Sequence, residues 1–262
     1  MIPVVDRVPT YPNRIKITTS DGVSEYVTWE RADEPTVEGT PINKALFDSI
    51  AMDIGLTADQ TVFVATAGSD NLGDGTQANP YATIGKAVST LPKNLNGKQM
   101  LINVAAGTYN ETVELDDYTS GVIRINGVQG AGVTITGLSI ENSLVLIDAI
   151  NLNVGREGIF VGSLGMLFCA SGNITVNGAA NGVTLRYGAV LEISTTLTVN
   201  NAATNAVWVQ YASTASVANL AGSGNGIGVQ VLNGTAYVLN FTMTAGTRIV
   251  EYNGKVYERV VG

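Results

Sequence analysis

The residues that decide the fold are "NLNV" at 151–154, "NITV" at 173–176, "TLTV" at 196–199, "NLAG" at 219–222 and "NFTM" at 240–243. Their starts lie 22, 23, 23 and 21 residues apart. A second apolar series follows: Ile159/Val161, Val183/Leu185, Val207/Val209 and Ile227/Val229. A third runs through Leu144/Leu146, Leu167/Cys169, Leu191/Ile193, then Val217 and Val238. Three short strands per repeat of this length are the period of a parallel β-helix, whose coils cannot bury their inward faces alone and so stack into one apolar column. Ile, Val and Leu at the inward positions suit such a core. A right-handed crossover is expected.

Asn151, Asn173, Asn219 and Asn240 take the same place in successive coils, with Thr196 the exception. Stacked asparagines can hydrogen-bond along the coil axis; the plainer alternative is that Asn favours turns.

Working outward, the chain divides into three regions. Residues 1–60 form an α+β module. Within it Arg14–Thr18 and Glu25–Glu30 make two strands across "SDG", and "TPINKALFDSIAMDIG" makes a helix opened by Thr40-Pro41. Residues 61–246 form the β-helix, beginning with the strand "TVFVAT" and a helix whose buried side carries Ile84, Val88 and Leu91. Residues 247–262 read as a β-hairpin about Asn253-Gly254 that covers the last coil with charged side chains. The fold class is therefore mainly β: a right-handed parallel β-helix with a small N-terminal α+β module and a C-terminal hairpin.

Only 14% of the 262 residues are charged and the net charge is −8, so no nucleic-acid partner is expected. No apolar run reaches membrane-spanning length and the first residues lack a signal-peptide pattern, so neither a membrane nor a leader is expected. A single cysteine, Cys169, allows no internal disulfide and at an inward position reads as core. The absence of histidine removes the commonest general base and transition-metal ligand, and no cofactor is expected.

The loop "GSDNLGDGTQANP" at 68–80 places Asp70, Asn71 and Asp74 beside glycines, as a calcium loop would. No Glu closes the pattern, and the same residues form turns before a helix; the turn reading is adopted, with calcium as the alternative. A glycan-cleaving site needs two carboxylates facing one groove. Between 138 and 245 the charged residues are Glu141, Asp148, Arg156, Glu157, Arg186 and Glu192, with no acids aligned on adjacent coils, so no catalytic residue is assigned. Phe160, Thr184 and Trp208 recur at intervals of 24 between inward neighbours, and Tyr187 and Tyr211 do so near a corner. An outward aromatic column marks an interface, either between subunits or with sugar rings.

Two stretches carry a resemblance. "VFVATAGSDNLGDGTQANPYATIGKAV" at 62–88 resembles the opening of pectate-lyase-like right-handed β-helix proteins. "RVPTYPNRIKI" followed by "RADEPTVEGTPINKALFDSI" resembles the N-terminal segment of phage and prophage tail or baseplate-associated proteins. The resemblance implies a virion structural protein, a tail fibre, spike or baseplate appendage made in the bacterial host cytoplasm. It would be a homotrimer, dock to other virion or tail proteins through its N-terminal module, and adhere to a bacterial cell-surface glycan. The alternative is a glycan-cleaving tailspike, a lyase or hydrolase.

Overall fold

In the computed structural model the described residues are 14–18, 24–28, 55–127 and 132–258. The chain divides into two units, Met1–Asp53 and Ile54–Gly262. In the first, β1 (Arg14–Thr18) pairs antiparallel with β2 (Ser24–Thr28), as the turn signal between them predicts. The helix expected near residues 40–54 lies outside the described residues.

The second unit is a parallel β-solenoid of about seven turns. It opens with β3 (Gln60–Val64) and helix α1 (Ile84–Ser89). Three coils follow in which one short strand precedes one long, bent strand. They are β4 (Gln99–Val104) with β5 (Gly107–Asp116), β6 (Val122–Gly127) with β7 (Gly132–Glu141), and β8 (Leu144–Asp148) with β9 (Ile150–Gly162). The fourth coil comprises β10 (Met166–Cys169), β11 (Gly172–Asn177) and β12 (Asn181–Leu185). The last three coils are β13 (Val190–Asn200) with β14 (Asn205–Gln210), β15 (Thr214–Ala221) with β16 (Asn225–Leu232), and β17 (Thr235–Phe241) with β18 (Ala245–Tyr252). β19 (Lys255–Glu258) begins one more. Each strand pairs in parallel with its counterparts in the neighbouring coils, and the coils thus form three faces.

The repeat that decided the fold is in register as read. Asn151, Asn173, Thr196, Asn219 and Asn240 lie opposite one another. Of the residues following them, Leu152, Ile174, Leu197 and Leu220 are buried at 0–4% exposure, and Phe241 is partly buried. Burying each such side chain is worth about 1.5–3 kcal/mol. The asparagine ladder forms in two pieces: Asn173 Nδ2 donates to Asn151 Oδ1, and Asn240 Nδ2 donates to Asn219 Oδ1 at 2.7 Å. Thr196 interrupts it, and Asn219 Nδ2 reaches the backbone carbonyl of Thr195 instead. Further rungs, Asn177–Asn200, Asn181–Asn205 and Asn103–Asn126, were not anticipated.

Two registers differ from the reading. On the first face Val145 and Ile147 align with inward Leu167 and Cys169, so Leu144 and Leu146 point outward. A one-residue slip exchanges the faces of a strand, and "LVLI" is apolar on both parities. On the third face Val229 and Val231, not Ile227 and Val229, continue the column of Val207 and Val209.

The C-terminal segment is not a hairpin. β18 pairs in parallel with β16, and β19 in parallel with β17. The turn at Asn253 exists, with φ of 50°, but it is a coil corner. The expected charged cover arises within the coil itself. Glu251 lies opposite inward Val231, and Glu258 opposite inward Val238. Glu251 Oε1 accepts from Val256 N–H, and Glu258 pairs with Arg248 at 3.1 Å. Charged groups at core positions discourage further strand addition. At the other end α1 closes the core with Ile84, Ala87 and Val88.

Candidate functional site

The corner joining the third face to the first is a column of left-handed residues. Asp117, Asn142, Ser163, Tyr187, Tyr211, Asn233 and Asn253 all have φ between 44° and 61°. Asn and Asp accept this conformation readily, whereas a bulky residue there is an outlier. Backbone bonds from coil to coil hold the column, among them Gly188 N–H to Tyr211 O and Asn233 N–H to Tyr252 O. At positions 187 and 211, between Ser163 on one side and Asn233 on the other, the chain places tyrosine. The two rings stack at 5.3 Å with 7° between their planes, and 55% and 42% of the residues remain exposed.

A second stack follows. Tyr237 and Tyr257, directly opposite on the first face, lie 5.1 Å apart at 13°. Tyr252 precedes the last corner, and Leu164 and Met166 flank the corner below Tyr187. Among the described residues nine large apolar side chains are exposed; Leu164, Met166, Tyr187, Tyr211 and Tyr252 lie at or within three residues of this corner, and Tyr237 and Tyr257 lie four residues past it on the first face. Strands about 4.8 Å apart make the ridge roughly 20 Å long from Leu164 to Tyr257. A cavity of about 190 Å³ at its lower end has Asn142, Ser143, Leu164 and Met166 in its walls. Stacked, half-exposed rings beside polar groups suit a ligand with flat apolar faces and hydroxyl rims, that is, a carbohydrate chain.

Phe160 and Trp208 do lie in one outward column with Thr184 between them. They are not freely exposed, however. The Arg186 guanidinium stands 5.3 Å from the Trp208 ring, and Trp208 Nε1 is shielded without a hydrogen-bond partner among the described residues. The Phe160 ring folds over Gly162, where any Cβ would lie 2.7 Å from its Cε1. The column thus covers its own sheet, and among the described residues the exposed aromatic surface is that of the tyrosines.

Sequence spacing missed one acidic pair because it straddles two dissimilar coils. Asp116 lies directly opposite Glu141. Asp116 Oδ1 is buried without a partner among the described residues. Burial, and then the charge of Glu141, pushes the Asp116 carboxyl above the usual range.

The 68–80 loop is built as a turn. Asp70 Oδ1 accepts from Ala82 and Thr83 N–H, and its Oδ2 accepts from the Thr83 hydroxyl. Thr83 in turn caps α1. Asp74 Oδ1 accepts from Thr76 N–H and Oγ1, which holds its carboxyl below the usual range. Asn71 is exposed beside them. Cys169 is buried at its inward position, and burial pushes its thiol up. No helix among the described residues is long and apolar enough to cross a membrane.

No family model matches the chain, and neither a curated protein nor a solved structure matches it.

Proposed function

We propose that this chain is a non-enzymatic appendage of a phage or phage-tail-like particle that recognises a bacterial surface glycan along its tyrosine edge. The observation that carries the recognition is the placement of Tyr187 and Tyr211. Two bulky residues hold a conformation that costs each about 1–2 kcal/mol, at a corner that Asp, Asn or Ser occupies in the other coils. Strain kept where a relaxed residue is available points to function. Attachment to virion or tail proteins through the N-terminal module, a homotrimeric state and location in the virion rest on the resemblance of the N-terminal segment. Native mass spectrometry and copy number in purified particles test these.

Binding of the labelled protein to purified cell-wall and capsular polysaccharides tests the recognition. Tyr187→Ala and Tyr211→Ala are expected to lose most of the binding, since each removes one of the two flat apolar faces against which a sugar ring would lie. Undiminished binding by the double variant refutes the edge as the site.

A second reading is glycan cleavage. Its support is the Asp116–Glu141 pair, two carboxyls directly opposite on adjacent coils, one of them held above the usual range by burial and by the other, as the acid of a glycosidase is. Release of reducing ends from those polysaccharides, abolished by Asp116→Asn and Glu141→Gln, would establish it.

A further inference from the structure

The first coils carry a pocket that the tyrosine edge does not use. It lies wholly within the solenoid unit and has a volume of about 410 Å³, within the usual range for small-molecule sites. Phe63, Asn103 and Asn126 form its floor, stacked in one outward column by the pairing of β3, β4 and β6. Gln77 and Pro80, from the 68–80 loop, form a wall.

That wall is preorganised. Phe63 N–H donates to Gly75 O, Tyr81 N–H to Phe63 O, and Ser69 N–H to Pro80 O. The Asp70 carboxylate ties the loop to the start of α1 through three hydrogen bonds. A rigid wall loses little freedom when a ligand binds.

The chemistry of the lining is narrow. Asn126 Nδ2 donates to Asn103 Oδ1 at 3.0 Å. This bond leaves the Asn103 amide hydrogens and the Asn126 carbonyl oxygen for a ligand, with the Gln77 carboxamide opposite. Among the described residues no lining side chain is ionisable. Asp148, directly opposite Asn126 in the next coil, pairs with Arg124 at 3.6 Å and accepts from the Ser171 hydroxyl. A charged ligand would therefore be desolvated without a counter-charge, which is costly. Phe63 and Pro80 offer apolar surface instead. The matching ligand is an uncharged ring with an apolar face and a rim of hydroxyl or amide groups.

We infer that this pocket binds one uncharged pyranose unit, its apolar face against Phe63 and its polar rim on the carboxamides of Gln77, Asn103 and Asn126. The inference rests on the reading of the solenoid as a glycan-binding appendage and adds a second, monosaccharide-sized subsite to it.

Saturation-transfer NMR on the full chain tests it, with methyl glycosides of glucose, galactose and N-acetylglucosamine as probes and methyl glucuronoside as the charged control. At least one neutral glycoside should receive saturation, and the glucuronoside should not. Gln77→Ala, on the exposed loop, and Asn126→Leu, of similar volume, should each weaken binding by about tenfold, the worth of one or two neutral hydrogen bonds. Glu192→Gln, exposed and outside the pocket lining, should leave the signal unchanged. Absence of transfer to every neutral glycoside overturns the pocket, as does equal transfer to the glucuronoside or a signal indifferent to both pocket variants. If polysaccharide binding then still depends on the tyrosines, the pocket alone has failed. If polysaccharides do not bind either, the glycan reading has failed with it.

Discussion

Replacing Tyr187 and Tyr211 by asparagine, singly and together, separates strain from stacking. The left-handed conformation costs a bulky residue about 1–2 kcal/mol. Asparagine stands at the equivalent corners 142, 233 and 253 with φ of 44°, 52° and 50°. The stack returns about 0.5–1.5 kcal/mol. Either single variant relieves one strained residue and breaks the stack, so its net change is close to zero. The double variant relieves two and loses the same one stack, so it should be more stable by about 2 kcal/mol. The cycle's coupling energy should equal the stack itself. Urea unfolding of the four proteins, at a common m-value, measures each number. A double variant destabilised by more than about 1 kcal/mol would show that the tyrosines stabilise the solenoid, and the inference from strain to recognition would fall.

The remaining expectations concern the core, the loop and one carboxyl. Leu197 is fully buried between Ile174 and Leu220, so Leu197→Ala should cost about 2–5 kcal/mol by chemical denaturation. A smaller loss would mean the coils close around the cavity. Asp70→Ala strips the acceptors from Ala82 and Thr83 N–H and should cost about 1–3 kcal/mol. A chelator should leave the Tm of the parent chain unchanged, whereas a calcium-dependent rise would make the loop a metal site. The Asp116 carboxyl titrates above 3.8 in the folded chain, so the folded state holds this proton more tightly than the unfolded one. Its contribution to stability therefore falls as pH rises from the unfolded value through the folded one. Asp116→Asn should raise Tm at neutral pH and flatten that decline; an unchanged pH profile would refute the shift.

Much of this architecture is written locally. In a solenoid each coil repeats the contacts of the last, so the 21–23-residue period and the inward Leu152, Ile174, Leu197 and Leu220 follow from alternation within single strands. The turn at Asp70 and the outward Phe160–Thr184–Trp208 column follow in the same way. The tertiary structure decided what local pattern leaves open. "LVLI" at 144–147 is apolar on both parities, and only pairing with Leu167 and Cys169 sends Val145 and Ile147 inward. Asn253-Gly254 is a strong hairpin signal, yet parallel pairing with the coil beneath outweighed it, because that pairing satisfies both strands at once. Asp116 and Glu141 meet only through stacking of coils whose lengths differ. The tyrosine edge gathers residues from five coils, and its left-handed strain is a property of backbone angles, to which side-chain spacing is blind.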